Sequence, residues 1–193
     1  MPQAKHPEHI VEEIITQIQA ILKKKEFIIV AIDGRCASGK TTLAAQLKER
    51  LDCNVIHADE FFLRPHQRTE ERLATPGGNV DYERLLEEVM LPLKANRDFA
   101  YRPYDCKTGN LKEPVWVNAR KITIIEGSYS CHPKLWEQYD LRIFLTIAEK
   151  LQKERIRNRN KEMAEVFLQK WIPLEETYFK EYAIAKRCDI RIG

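Results

Sequence analysis

The residues best suited to chemistry lie at Gly34-Arg35-Cys36-Ala37-Ser38-Gly39-Lys40-Thr41, which fit the pattern G-x-x-x-x-G-K-[ST] at every fixed position. Glycines let the backbone turn tightly enough for successive N–H groups to point at one anion. A helix beginning just after the loop adds the positive end of its dipole. Lys40 can then reach the outer phosphates of a nucleotide, and the Thr41 hydroxyl can serve Mg²⁺, with Thr42 in the same turn. Cys36 sits inside this loop and reads as a small residue that fits the turn rather than as a reactive thiol.

Two carboxylates follow apolar runs that read as strands. Asp59 comes after Asn54–Ala58, and Glu126 closes Lys121–Gly127. In a parallel sheet, ligands bind beyond the carboxyl ends of the strands, so both belong beside the phosphate loop. Phosphoryl transfer needs one carboxylate to take a proton from the attacking hydroxyl and another to hold the metal. Asp59 is assigned the first role and Glu126 the second; from sequence the roles can be exchanged. Lys153, Arg155, Arg157, Arg159 and Lys161 crowd one charged segment. Arg155 and Arg159 are four apart and share a helical face, from which arginine can neutralise charge on a transferring phosphoryl group.

The elements that must position these groups alternate between strand and helix. Ile10, Val11, Ile14, Ile15, Ile18, Ile21 and Leu22 recur at helical spacing, giving an N-terminal amphipathic helix within residues 1–26. That face is available to pack across a homodimer. Residues 27–32 form a short continuous apolar run, as expected of a strand buried on both faces. A helix is expected over 40–51, a second strand over 54–58, and a loop over 63–81. A helix capped by Asp81 follows, then a hairpin-like excursion between 99–104 and 114–117. Strands at 121–127 and 141–147 precede charged helices over 148–160 and 163–182, the latter bent or interrupted at Pro173. Phe167, Trp171, Leu174 and Tyr178 lie at helical spacing on it and read as core. Asp189–Ile192 offers a fifth strand. The pattern is that of a single α/β domain over residues 1–193 with a mostly parallel sheet.

Bulk composition narrows the classes. The chain has 193 residues, 44% apolar and 32% charged, with a formal charge of +3, too small to argue for a nucleic-acid partner. No apolar run approaches a membrane span, and the N-terminus lacks the apolar core of a signal peptide. Five cysteines without a C-x-x-C fit reduced thiols in a cytoplasmic protein. His57, His66 and His132 lack metal-ligand spacing. A guanine-specific switch would carry N-K-x-D; the nearest string, Asn160-Lys161-Glu162-Met163, lacks the Asp. A nucleotide-dependent ATPase without an acceptor stays an alternative.

The phosphate loop, Asp59-Glu60-Phe61-Phe62, Gly78-Asn79-Val80-Asp81, Tyr104-Asp105, Ile125-Glu126-Gly127 and the Arg-rich helix together resemble the uridine kinase and phosphoribulokinase group of P-loop kinases. The likeness covers most of the chain after residue 27 and is greatest to bacterial uridine kinase-like proteins. It implies a P-loop NTPase fold with a five-stranded, mostly parallel sheet flanked by helices. It also implies ATP with Mg²⁺, an Asp at position 59 acting as base, and an Arg-bearing lid over about 148–162. The acceptor, a small molecule with a hydroxyl, is expected near Phe62, Asp81, Tyr82, Tyr104 and Asp105. One departure bears on that acceptor. Uridine kinases follow the Tyr-Asp pair with a His and an Arg, whereas residues 106–111 here read Cys-Lys-Thr-Gly-Asn-Leu. A nucleoside such as uridine or cytidine leads, with a sugar, a hydroxy acid or a vitamin precursor as alternatives.

Overall fold

The computed structural model describes residues 7–159 and 161–193. Residues 1–6 of the N-terminal segment and Asn160 of the N-K-x-D-like string lie outside that description. Helix α1 (Pro7–Leu22) leads into strand β1 (Ile28–Gly34), helix α2 (Lys40–Arg50) and strand β2 (Cys53–His57). Next come α3 (Glu70–Ala74), α4 (Tyr82–Leu85) and α5 (Leu91–Lys94). Short strands β3 (Phe99–Tyr101), β4 (Tyr104–Asp105), β5 (Asn110–Leu111) and β6 (Val115–Val117) form the excursion. The chain continues through β7 (Ile122–Glu126), β8 (Leu141–Leu145), α6 (Glu149–Arg159), α7 (Ala164–Val166), α8 (Ile172–Glu181), α9 (Ile184–Arg187) and β9 (Ile190–Ile192).

The central sheet has five strands in the order β2-β7-β1-β8-β9, and every neighbouring pair is parallel. β1 is buried along its whole length, as its unbroken apolar run requires. Its side chains alternate between two cores. Ile29 and Ala31 enter one with Phe61, Leu85, Ile125 and Phe144. Ile28, Val30 and Ile32 enter the other with α1 and α2. Burial of one such isoleucine contributes about 1.5–3 kcal/mol. The apolar face of α1 (Val11, Ile14, Ile15 and Ile18) is consumed by this second core, against Leu43, Ala44 and Leu47 of α2. Those four side chains are therefore spent within the chain, while Ile10, Ile21 and Leu22 of the same stripe stay partly exposed.

Register explains how distant acidic residues meet. Glu126 stands opposite Ile32 on one side and His57 on the other, while Gly34 stands opposite Leu145. The carboxyl ends of β1, β2 and β7 thus form one rim. The excursion is two nested antiparallel ladders, β3 with β6 and β4 with β5. The region expected as loop over 63–81 contains α3, whose N-cap Thr69 accepts from the Arg72 N–H at 3.1 Å.

Two prolines are accommodated in the same way. The chain is helical from Tyr82 to Lys94, with a π-turn at Leu86–Met90 just before Pro92. A second π-turn, Phe167–Trp171, precedes Pro173. In each, the residue before the proline donates to the carbonyl five positions back: Leu91 to Leu86, and Ile172 to Phe167. A proline has no N–H and crowds the carbonyl four residues earlier, and the wider turn relieves both. The interruption expected at Pro173 therefore falls on the turn before it.

Candidate active site

The phosphate loop leaves β1 through Gly34, whose φ is +138°. A Cβ there would stand 2.0 Å from the Leu145 carbonyl oxygen, so only glycine fits. The Arg35 N–H donates to that same carbonyl at 3.0 Å, which moors the loop to β8. Lys40 is nearly buried and folds back on the loop, donating to the carbonyls of Gly34 at 2.8 Å and Arg35 at 3.0 Å. Burial, followed by the charge of Glu175, pushes the Cys36 thiol up to about 11, so it stays protonated and inert near neutral pH.

Glu126 is buried and receives the Thr41 hydroxyl at 3.1 Å on Oε1 and 3.3 Å on Oε2. His57 Nδ1 lies 2.6 Å from the same carboxylate, and that hydrogen bond raises the His57 pKa. Thr41 and Glu126 together offer hard oxygen donors, the ligand type Mg²⁺ prefers. Asp59 makes no hydrogen bond among the described residues. Its carboxylate is reached by solvent at the cleft floor yet walled by protein on most sides. That enclosure raises its pKa, while Lys40 opposes the rise. Gly127, with φ +141°, permits the approach: a Cβ there would sit 3.0 Å from the Asp59 neighbour Ala58 and 3.3 Å from Asp59 Oδ1.

One cleft of about 1590 Å³ collects these groups. Cys36 to Thr42, Asp59, Phe62, Glu126, Arg155 and Arg159 all line it. Arg155 Nη1 donates to the Ala37 carbonyl at 3.0 Å. Arg159 is close enough to depress the pKa of both Asp59 and Cys36, although burial dominates at each. Gln152 is buried and donates to the Cys36 carbonyl at 3.0 Å, which seats α6 on the loop. Gly34 and Arg35 stand behind the lining. Arg35 instead pairs with Glu176 of α8 through both oxygens, at 2.6 and 2.9 Å.

Four residues expected around the acceptor do not line the cleft themselves. Asp81 is buried as the N-cap of α4, accepting from Arg84 N and Gln67 Nε2. Tyr82 stacks on His132 with ring centroids 4.3 Å apart and faces a separate, smaller cavity. Tyr104 is buried beside the cleft, and its hydroxyl accepts from Arg68. Asp105 accepts from the Lys107 N–H within the hairpin turn. Each has polar partners within the protein that the family-like motif does not reveal. The helical stripe expected as core also divides. Phe167, Trp171 and Leu174 line the cleft, and only Tyr178 is core.

Two acidic residues beside the site escape sequence reasoning. Asp33 is fully buried at the end of β1 and accepts from the N–H groups of Gly34, Tyr129 and Cys131 and from the Tyr178 hydroxyl. Its burial raises its pKa against those bonds. Glu175 of α8 is buried in the cleft wall, accepting from the Cys36 N–H at 2.9 Å and from Ser128 Oγ at 2.7 Å. Only the position of Asp33 just before the loop could have marked it; Glu175 carries no sequence signal.

No protein-family model matches the chain. It is 30% identical over 131 residues to uridine-cytidine kinase B of Dictyostelium discoideum, covering 63% of this chain and 53% of that protein. To the uridine kinase of Ureaplasma parvum it is 27% identical over 133 residues, covering 64% of each. The chain thus spans between about half and two thirds of these relatives. A solved structure described as a possible uridine kinase from Bacillus stearothermophilus superposes with a TM-score of 0.67 at 22% identity. That match covers 94% of this chain and 100% of the other. The chain has the fold of the P-loop kinases, and in sequence it is similar to uridine and uridine-cytidine kinases.

Proposed function

We propose that this chain transfers the γ-phosphoryl group of ATP to a hydroxyl of a small molecule, with a nucleoside such as uridine or cytidine as the leading acceptor. The observation that carries this reading is the placement of Asp59 in the same cleft as the phosphate loop, with no hydrogen-bond partner for its carboxylate among the described residues. In a simple ATPase the same carboxylate would act on water, so acceptor-dependent ADP release separates the two readings. The names of the similar proteins support the nucleoside. The five unpaired cysteines accord with the same reading of a cytoplasmic enzyme, and among the described residues no helix is long and apolar enough to cross a membrane.

The chain's own residues divide the work. The loop amides and the start of α2 hold the phosphates. Lys40 exchanges the carbonyls of Gly34 and Arg35 for phosphate oxygens, a short swing within one pocket. Thr41 and Glu126 would hold Mg²⁺, which would supply charge neutralisation for the phosphates. Asp59 accepts the acceptor's hydroxyl proton as the oxygen attacks, and its raised pKa strengthens it as a base. Arg155 and Arg159 approach from α6 to neutralise the transferring group, while α6 and α8 exclude water.

The test is acceptor-dependent ADP release, screened over nucleosides and small alcohols with Lys40→Ala as control. Release stimulated by an acceptor and lost in Lys40→Ala supports the reading. Release equal with and without every acceptor favours the ATPase instead.

A further inference from the structure

Several buried or half-buried arginines of this molecule are paired with carboxylates, whereas Arg68 is more exposed. Arg35 binds Glu176, Arg72 binds Glu83, and Arg84 faces Asp81 and Glu88. Arg68 is different. It lines the cleft from the segment before α3 and has no carboxylate partner among the described residues. Its Nε donates to the Leu63 carbonyl at 3.0 Å and its Nη2 to the Tyr104 hydroxyl at 2.7 Å. The guanidinium carbon lies 5.7 Å from the centre of the Tyr104 ring. Two neutral acceptors thus fix the orientation of the fork without neutralising it. Arginine held this way retains donors and a full charge for an incoming oxygen.

Arg68 lines the same cleft as Asp59, the proposed base. Cys106, in the turn of the β4–β5 hairpin, lines the same wall. Burial raises its thiol pKa first; Asp59 raises it further and Arg68 lowers it. One point of the wall therefore lies within reach of both the base and the cation. The loop, Lys40, Arg155 and Arg159 already serve the phosphate side, so Arg68 is left for the other reactant.

We infer that Arg68 recognises the acceptor, donating to oxygen atoms at the end remote from the hydroxyl that receives the phosphoryl group, and that Tyr104 positions it. This rests on the phosphotransferase reading above. The chemistry required is an oxygen-bearing, hydrogen-bond-accepting edge. The carbonyl edge of a pyrimidine supplies it, and so does the carboxylate of a hydroxy acid.

Steady-state ADP release with uridine, with glycerate and with glycerol separates these cases in wild type, Arg68→Gln, Arg68→Lys and Tyr104→Phe. For uridine or glycerate, whichever is turned over, Arg68→Gln raises the acceptor KM by about 10- to 100-fold and leaves the KM for ATP unchanged. Arg68→Lys recovers part of the loss. Tyr104→Phe raises the same KM by about 3- to 10-fold. Turnover of uridine identifies the carbonyl edge, and turnover of glycerate the carboxylate. An acceptor KM unmoved by Arg68→Gln, a KM for ATP that rises in proportion, or glycerol used as well as either oxygen-edged acceptor overturns the assignment. If no acceptor stimulates wild-type ADP release, the phosphotransferase reading falls first and the role of Arg68 falls with it.

Discussion

The Thr41 hydroxyl donates to the Glu126 carboxylate, at 3.1 Å from Oε1 and 3.3 Å from Oε2, and so ties the first turn of α2 to the end of β7. Strand register brings this about, because Glu126 pairs with Ile32 just before the phosphate loop begins. Removing either oxygen donor should weaken metal binding without disturbing the fold. Thr41→Val and Glu126→Gln are each expected to raise the free Mg²⁺ needed for half-maximal ADP release by about 10-fold or more. Unchanged Mg²⁺ dependence in both variants would remove this pair from the metal site.

The pH dependence follows from Asp59. The protein packed around this solvent-reached carboxylate raises its pKa above the ordinary value of 3.8. The base works only when deprotonated, so kcat/KM should be full above the raised pKa and fall as pH drops through it. An acid limb centred at or below the ordinary carboxylate value would contradict this environment for the base.

Glu175 places a carboxylate on the Cys36 amide of the phosphate loop, beside the path of an incoming triphosphate. Glu175→Gln keeps a hydrogen-bond acceptor and removes the charge. ATP is therefore expected to bind about 3- to 10-fold tighter to this variant. Burial raises the Glu175 pKa, so the advantage should widen as pH rises and the wild-type side chain ionises. Weaker ATP binding by Glu175→Gln at every pH, measured by equilibrium titration, would show the carboxylate to be a needed support instead.

His132 links stability to pH. Burial among Tyr82, Tyr178 and Tyr182 lowers its pKa from 6.5 to about 4. The unfolded chain therefore takes up this proton before the folded one. Its contribution is fully present above about pH 6.5 and is lost as pH falls toward 4, amounting to about 3 kcal/mol at most. His132→Phe should keep the ring stack and flatten the decline of Tm over that range. Parallel Tm curves for the two proteins would rule out this linkage.

What was legible in the sequence was what local pattern can carry. The apolar runs of β1, β7 and β8, the glycines and lysine of the loop, and an acidic residue just past a strand sit close together along the chain. Arg68, Asp33 and Glu175 were not legible because their meaning depends on remote partners. Glu175 meets Cys36 across 139 positions, and Asp33 meets Tyr178 across 145. Asp81 and Tyr82 show the converse. Their motif is local, but a helix cap and a ring stack satisfy it without the cleft. Phe167, Trp171 and Leu174 have core-like spacing, yet the π-turn before Pro173 changes the helix's phase, and they line the cleft.

The central claim is that Asp59 takes the proton from an acceptor hydroxyl while the loop holds ATP. It is tested most directly by following transfer of the terminal phosphoryl group from ATP to uridine in wild type and Asp59→Asn, with ATP affinity measured in both. The account predicts ATP binding within a few-fold of wild type in Asp59→Asn and transfer slower by about 10²- to 10⁴-fold. Full transfer by Asp59→Asn would contradict it.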